Sequence, residues 1–219
     1  MKMLYALSSG NAGDVTKQVE ELIDRNNAMM DKAEKLGKKL LLPVDTTIAA
    51  DFPNPIDAEI EVSAVAVDAI PADIVISTNG GYPLDQNIYQ SVKGMTAAEA
   101  TCKEGGVIID VSSCSDGHGG EDFYEWFKKA NSAQAVMDEI MAIEPQHTLP
   151  DQWEAQILAR ILIDHTVIMV TDQCDHSMIT DMKMKVANTL PEAMKMAEEI
   201  VGKDASITVV PDGVSVIVK

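Results

Sequence analysis

The sequence predicts an α/β fold in three layers: a mostly parallel sheet with helices on both faces and a C-terminal β-hairpin. Strand-like and helix-like segments alternate along the chain. The connections between them are short, as they are when helices return the chain to the same edge of a parallel sheet. The last two apolar runs flank Pro211-Asp212-Gly213, which reads as a tight turn between antiparallel strands. Together these describe a Rossmann-like arrangement.

Taken in order, Lys2 to Leu7 is a short apolar run that ends at Ser8-Ser9-Gly10. Asp14 is placed to cap a helix with Val15, Val19, Leu22 and Ile23 on one face, running to about Leu36 with Gly37 as its C-cap. Lys39 to Val44 reads as a buried strand. Pro53 and Pro55 break the pattern, and Ala58 to Val67 alternates as a strand. The scheme then repeats. Ile74 to Ile76 is a strand running into Ser77 to Gly81. Asp85 opens a helix to about Lys93, and Thr96 a second one to about Lys103. Val107 to Val111 is a strand, with helices at about Asp122 to Lys129 and Ala133 to Ala142. Trp153, Ile157, Leu158, Ile161 and Leu162 share one face of a helix between Pro150 and Asp164. Val167 to Val170 is a strand and Leu190 to Val201 a helix. Ile207 to Val210 and Val214 to Val218 form the expected hairpin.

Composition narrows the function. Hydrophobic residues make up 46% and charged residues 24% of the 219 positions, the balance of a globular chain. The net charge is −18, and Arg25 and Arg160 are its only two arginines, so the basic footprint of a nucleic-acid binder is missing and an anionic membrane would repel the chain. No window approaches the ~18 uninterrupted apolar residues of a membrane-spanning helix, and Met1 to Gly10 carries no secretory pattern. Cys102, Cys114 and Cys174 are too sparse for a disulfide framework and point to a reducing, cytoplasmic location.

Three predicted strands end in polar, glycine-bearing loops: Ser77 to Gly81, Ser112 to Gly120 and Thr171 to Ser177. Ligands of open α/β sheets sit outside the carboxyl ends of the strands, so these loops are expected to share a crevice. The plain alternative is that the glycines and small polar residues only make turns. Gly80-Gly81 lacks the spacing and lysine of a P-loop, and Gly117-His118-Gly119-Gly120 is not a dinucleotide fingerprint. Backbone amides at the start of the Asp85 helix remain candidates for an anion. Gln90 and Lys93 share a face of that helix beside Tyr89, and are expected to point toward Ser77 to Gly81; a solvated polar face is the plain reading. Cys114 with His118 and Cys174 with His176 are the metal-like pairings, though neither has a standard zinc spacing. Cys114 beside His118 is also a weak nucleophile pair, against the plain reading of a buried structural thiol. Trp153 is placed either in the core or over a planar ligand.

The stretches Pro71 to Met95 (PADIVISTNGGYPLDQNIYQSVKGM), Glu104 to Val111, Ser115 to Gly120, Pro150 to Trp153 with Gln156 to Arg160, and Gly202 to Asp204 through Pro211 to Gly213 carry a family resemblance. Over residues 71–219 the chain resembles the C-terminal domain of the nickel-dependent lactate racemase family. That resemblance implies racemisation of a small-molecule 2-hydroxy acid with a nickel pincer nucleotide, by hydride transfer from the substrate C2 and back. It implies two histidines as alternating acid and base and a lysine tether, all in an N-terminal domain. It implies cofactor or substrate contacts from Tyr89, Gln90, Lys93 and Trp153. All four histidines here lie at or beyond His118, so the acid/base pair and the nickel ligand have no carriers, and the chain is expected to be inactive alone.

Asp31 to Asp45, Ala49 to Phe52 and Val67 to Pro71 resemble part of the C-terminal, nucleotide-binding domain of phosphoglycerate kinase, without that family's glycine motifs. The two resemblances meet at Pro71-Ala72-Asp73. This suggests a recombined chain, engineered or a natural fusion, with a kinase-like segment at 1–70 and a racemase-like domain at 71–219, or one continuous domain. The alternatives are a nucleotide-binding protein descended from the kinase piece, or a scaffold without ligand.

Overall fold

The computed structural model describes residues 5–7 and 65–219. The helix expected from Asp14, the strand at Lys39 to Val44, most of the strand at Ala58 to Val67 and most of the kinase-like segment lie outside them. Eight strands are described: β1 (Tyr5–Leu7), β2 (Val65–Val67), β3 (Ala72–Thr78), β4 (Cys102–Val111), β5 (Thr166–Val170), β6 (Lys185–Ala187), β7 (Ile207–Val210) and β8 (Val216–Val218). The helices are α1 (Ile88–Glu99), α2 (Glu121–Lys128), α3 (Ala133–Met141), α4 (Gln152–Asp164), α5 (His176–Asp181) and α6 (Leu190–Val201).

Six strands form the main sheet in the order β1-β7-β3-β4-β5-β6. Every pair is parallel except β1 with β7. Side chains alternate between the two faces of a strand, so a strand covered on both sides must be apolar throughout. That is how the runs at Ile74 to Ile76 and Val107 to Ile109 are used. Val75, Ile108, Val167 and Met169 pack against Ile88, Val92 and Met95 of α1, Phe123 and Phe127 of α2, and Leu158 and Ile161 of α4. Their neighbours Ile74, Ile76, Val107, Ile109 and Ile168 face the other way, against Leu190, Ala193, Met194 and Ala197 of α6. The three layers of the expected fold are therefore present, with helices on both faces.

The expected C-terminal hairpin is not formed. β7 lies inside the sheet between β3 and β1, and β8 pairs in parallel with β2 in a separate two-stranded ribbon. The turn between them is anchored elsewhere. The Asp212 carboxylate accepts from the Val214 and Ser215 amides and the Ser215 hydroxyl, which coils the chain on itself. The Gly213 amide donates to the Thr78 carbonyl at 2.8 Å, and the Thr78 hydroxyl to the Pro211 carbonyl at 2.7 Å. These bonds carry the segment toward the end of β3 rather than back along β7.

The two short helices expected between Asp85 and Lys103 are one helix, α1, and Cys102 and Lys103 already belong to β4. Asn87, not Asp85, is the N-cap: its side-chain oxygen accepts from the Gln90 amide at 2.9 Å. Gly94 lies within α1 and is required by close packing. Its amide donates to Asn79 Oδ1 at 2.9 Å, and a Cβ there would sit 2.4 Å from the same oxygen. Short α5 and β6, which carried too few periodic residues to stand out in the sequence, complete the sheet edge.

Gly94→Ala should therefore cost roughly 1–3 kcal/mol, the usual cost of forcing extra volume into a packed interior. Urea unfolding of the two proteins measures it; equal midpoints would mean that the Asn79 side chain is free to move aside.

Candidate functional site

The carboxyl ends of the parallel strands converge on a crevice of about 320 Å³. Thr78 ends β3 and Gly80 and Gly81 follow it, Ser112 and Ser113 follow β4, Thr171 and Asp172 follow β5, Asn188 follows β6 and Pro211 follows β7. The three expected loops thus meet. The Thr171 hydroxyl donates to the Ser113 carbonyl at 2.6 Å, and Asp85 Oδ2 accepts from the Ser113 amide at 3.1 Å. Among the described residues the lining includes two carboxylates, Asp85 and Asp172, and no lysine or arginine.

Beneath it lies Asp110, fully buried, with one oxygen accepting from the Ser112 hydroxyl at 2.7 Å and the other without a partner. Burial pushes its carboxyl up to about 7; the Ser112 hydrogen bond opposes this and the Asp85 charge adds to it. An acid at an inward position of the run Val107-Ile108-Ile109-Asp110-Val111 is a signal the sequence did carry.

The amides at the start of α1 do not offer an anion site. Those of Ile88 and Tyr89 donate to the Gly117 and His118 carbonyls at 3.0 and 3.1 Å. Those of Gln90 and Ser91 donate to Asn87, so the first turn is committed to protein partners.

Tyr89, Gln90, Lys93 and Trp153 are not among the residues that line the crevice. They occupy a second surface, where the outer side of α1 meets the start of α4. The Tyr89 ring stands edge-on to Phe123 at 5.3 Å and to Trp153 at 6.0 Å, and its hydroxyl donates to Asp151 Oδ1 at 3.2 Å. Lys93 Nζ donates to Gln90 Oε1 at 2.5 Å. Trp153 is 52% exposed while Leu158 and Ile161 of the same helix are buried, so its indole is not part of the core. Asp151 has a left-handed backbone, φ 56°, immediately before the helix that carries Trp153.

Two acids of this surface were not singled out in the sequence. Asp151 holds the Tyr89 hydroxyl, and Glu154 lies buried beside it with Oε1 unpartnered. Burial pushes the Glu154 carboxyl up to about 7, with Lys93 pulling it down and Asp151 pushing it up. Tyr89 is raised to about 12 by burial and by the charges of Asp151 and Glu154.

The metal-like pairings do not assemble. Cys114 is buried with its sulfur 3.3 Å from the Ser91 hydroxyl, and burial raises its thiol well above the usual range. That removes the thiolate a nucleophile needs. His118 stacks on Tyr124 at 4.8 Å and accepts from the Gly120 amide, while His176 sits against the Thr171 carbonyl. Among the described residues no three His, Cys, Asp or Glu side chains are grouped to hold a metal ion.

Residues 67–218 match the family described as the lactate racemase C-terminal domain. The chain belongs to that family. It is 64% identical over 159 residues to the lactate racemase of Thermoanaerobacterium thermosaccharolyticum, covering 72% of this chain and 37% of that one. It is 56% identical over 154 residues to the lactate racemase of Lactiplantibacillus plantarum, covering 70% and 36%. The solved structure of the Thermoanaerobacterium lactate racemase apoprotein superimposes with a TM-score of 0.69 over 70% of this chain and 37% of that one. The chain therefore spans a little over a third of the length of the curated racemases it matches. No described helix is long and apolar enough to cross a membrane.

Two stability outcomes follow from this racemase-type domain. Trp153→Ala should cost less than about 1 kcal/mol, as surface substitutions do, while Phe123→Ala should cost about 3–5 kcal/mol. Chemical denaturation of both variants tests the placement of the indole. The second concerns pH. A carboxyl whose folded pKa is raised stabilises the fold fully below its unfolded value of roughly 4, and that contribution is lost as pH rises toward the folded value. The urea midpoint should thus fall from roughly pH 4 to about pH 7 and level off above that, and Asp110→Asn should flatten the decline. An unchanged slope in that variant would place the titration elsewhere.

Proposed function

We propose that this domain acts in a 2-hydroxy acid racemase, presenting Tyr89, Gln90, Lys93 and Trp153 to a substrate and cofactor held mainly by a separate N-terminal domain. The observation that carries this reading is the exposed Trp153, set edge-on to Tyr89 beside Gln90 and Lys93 on the outer side of α1. A lysine ammonium and a carboxamide are suited to a carboxylate or phosphate, and two aromatic rings to a planar ring and to excluding water. The nickel pincer nucleotide, when bound, supplies the acceptor for the substrate hydride. The described residues fit an anionic portion of such a ligand at Lys93 and Gln90. They do not fit its metal, since no donor cluster is present among them, so no nickel ligand is assigned here. Lys93 and Gln90 would orient the anion, and Tyr89, fixed by Asp151, would stay protonated and exclude water.

Mixing this chain with a cofactor-charged N-terminal domain from a lactate racemase tests the reading, with conversion followed by chiral chromatography. The chain alone should not racemise lactate. In the mixture, Lys93→Ala should lower kcat/KM by roughly ten- to a hundredfold, the worth of a hydrogen bond to a charged group. Undiminished turnover with Lys93→Ala and Trp153→Ala combined would overturn it.

We also propose that residues 31–71 derive from a phosphoglycerate-kinase-like domain and that the chain is a recombination of two α/β parents, divided near 70/71. The supporting stretches are Asp31 to Asp45, Ala49 to Phe52 and Val67 to Pro71. Nucleotide binding is the alternative function this raises, and calorimetry with millimolar ADP separates the two. Saturable heat would favour the kinase-like reading, and its absence the racemase-like one. The three cysteines support a cytoplasmic setting.

A further inference from the structure

The crevice at the strand ends has a wall whose donors are largely spent. The Thr78 hydroxyl donates to the Pro211 carbonyl, the Ser112 hydroxyl to Asp110 and the Thr171 hydroxyl to the Ser113 carbonyl. The Gly80 amide donates to the Thr78 hydroxyl, and the Ser113 amide to Asp85. What these hydroxyls keep is lone pairs. Asp85 is fixed in the wall from two sides. Its main-chain carbonyl accepts from the Cys114 amide at 2.8 Å, and its Oδ2 from the Ser113 amide at 3.1 Å. The residue is only 9% exposed, and its Oδ1 has no hydrogen-bond partner. Next to Ser112, fully buried Asp110 also leaves its Oδ1 unpartnered. A buried acceptor left empty costs stability, so one set in a crevice wall points to a donor that arrives from outside. The start of α6, beside Asn188, does not reverse the sign. Glu192 in its first turn accepts from the Asn188 amide at 2.9 Å, which puts an acid on the positive end of that helix.

We infer that this crevice binds a small organic amine, whose ammonium donates to Asp85 Oδ1 while exposed Asp172 adds negative charge at the rim. The site is separate from the surface of Tyr89, Lys93 and Trp153, none of which lines it, and stands or falls without that surface. The ligand class follows from the wall. An ammonium brings donors and positive charge together, and charge-assisted hydrogen bonds to a carboxylate are the strong ones. A carboxylate or phosphate would instead meet lone pairs and negative charge. A metal ion is poorly served, since among the described residues no three His, Cys, Asp or Glu side chains are grouped to hold one. The volume of about 320 Å³ lies at the low end of the range for small-molecule pockets, which suits a short amine rather than a dinucleotide. Asp85 is oriented before any ligand arrives, so little ordering is lost on binding.

Titration of the full ¹⁵N-labelled chain with 1,4-diaminobutane, and in parallel with 1,4-butanediol, tests this by NMR. The diamine should give saturable shifts at the Gly80, Gly81 and Ser113 amides, and these should weaken as sodium chloride rises. The diol has the same length without the charge and should bind at least about tenfold more weakly. Asp85→Asn keeps an acceptor for the Ser113 amide and should lower diamine affinity roughly ten- to a hundredfold, the worth of a hydrogen bond to a charged group. Asp172→Asn, at an exposed position, should lower it by no more than about fivefold. Lys93→Ala should leave it unchanged. Equal affinity for diamine and diol in the wild-type chain, or no saturable shift at these amides at millimolar diamine, overturns the inference. So does tighter binding of magnesium or inorganic phosphate at the same amides, and so does undiminished diamine affinity in Asp85→Asn with a wild-type urea midpoint. The comparison of diamine with diol needs no variant and decides the matter even where Asp85→Asn unfolds.

Discussion

A buried carboxamide at the end of β3 ties the loop, the helix and the outer surface of this domain together. Asn79 donates from Nδ2 to the carbonyls of Leu84 and Gln90, both at 2.6 Å, and accepts at Oδ1 from the Gly94 amide. One side chain thus fixes the loop before α1, the first turn of α1 and its middle. Because the Gln90 backbone is held in this way, the side chains of Tyr89, Gln90 and Lys93 start from a defined place rather than from a mobile loop. Gly94 is the complementary constraint, since it lets the helix lie close enough for the carboxamide to reach both sides. A polar group buried with its bonds satisfied favours one arrangement over its alternatives, because any other leaves it unpaired.

The strands and the sheet class were legible because burial on both faces demands continuous apolar runs, as at Val107 to Ile109. What misled was local chemistry overridden at a distance. Pro211-Asp212-Gly213 has the composition of a hairpin turn, yet Gly213 bonds to Thr78 across the molecule. Gly94 resembles a helix stop, yet it is a contact point. Asp85 resembles a cap, yet its carboxylate belongs to the Ser113 loop. The site divides in the same way. The crevice followed from strand ends meeting one edge, a rule of the fold. Asp151 and Glu154 had no period or motif to mark them, because their part depends on how α4 is laid against α1.

Among the described residues, the two polar surfaces differ in that only one of them carries a lysine. The crevice carries Asp85 and Asp172 with buried Asp110 nearby, while the outer surface adds Lys93 to Asp151 and Glu154. The acids at the strand ends disfavour an anion in the crevice.

The ribbon of β2 and β8 has a consequence for where this domain is fastened. β8 runs beside β2 in the same direction, and beyond their paired residues the Lys219 amide donates to the Val67 carbonyl at 3.0 Å while the Ala69 amide donates to the Lys219 carbonyl at 2.9 Å. The start of the stretch from Val65 to Lys219 and its end are thereby fastened side by side. Because β1 lies ahead of Val65 and pairs with β7, a change ahead of Val65 reaches the main sheet through its β1 edge, while the ribbon itself holds the segment from Val65 to Lys219 closed. The final strand is the latch of that closure, and trimming it would open the module from the seam rather than from the core.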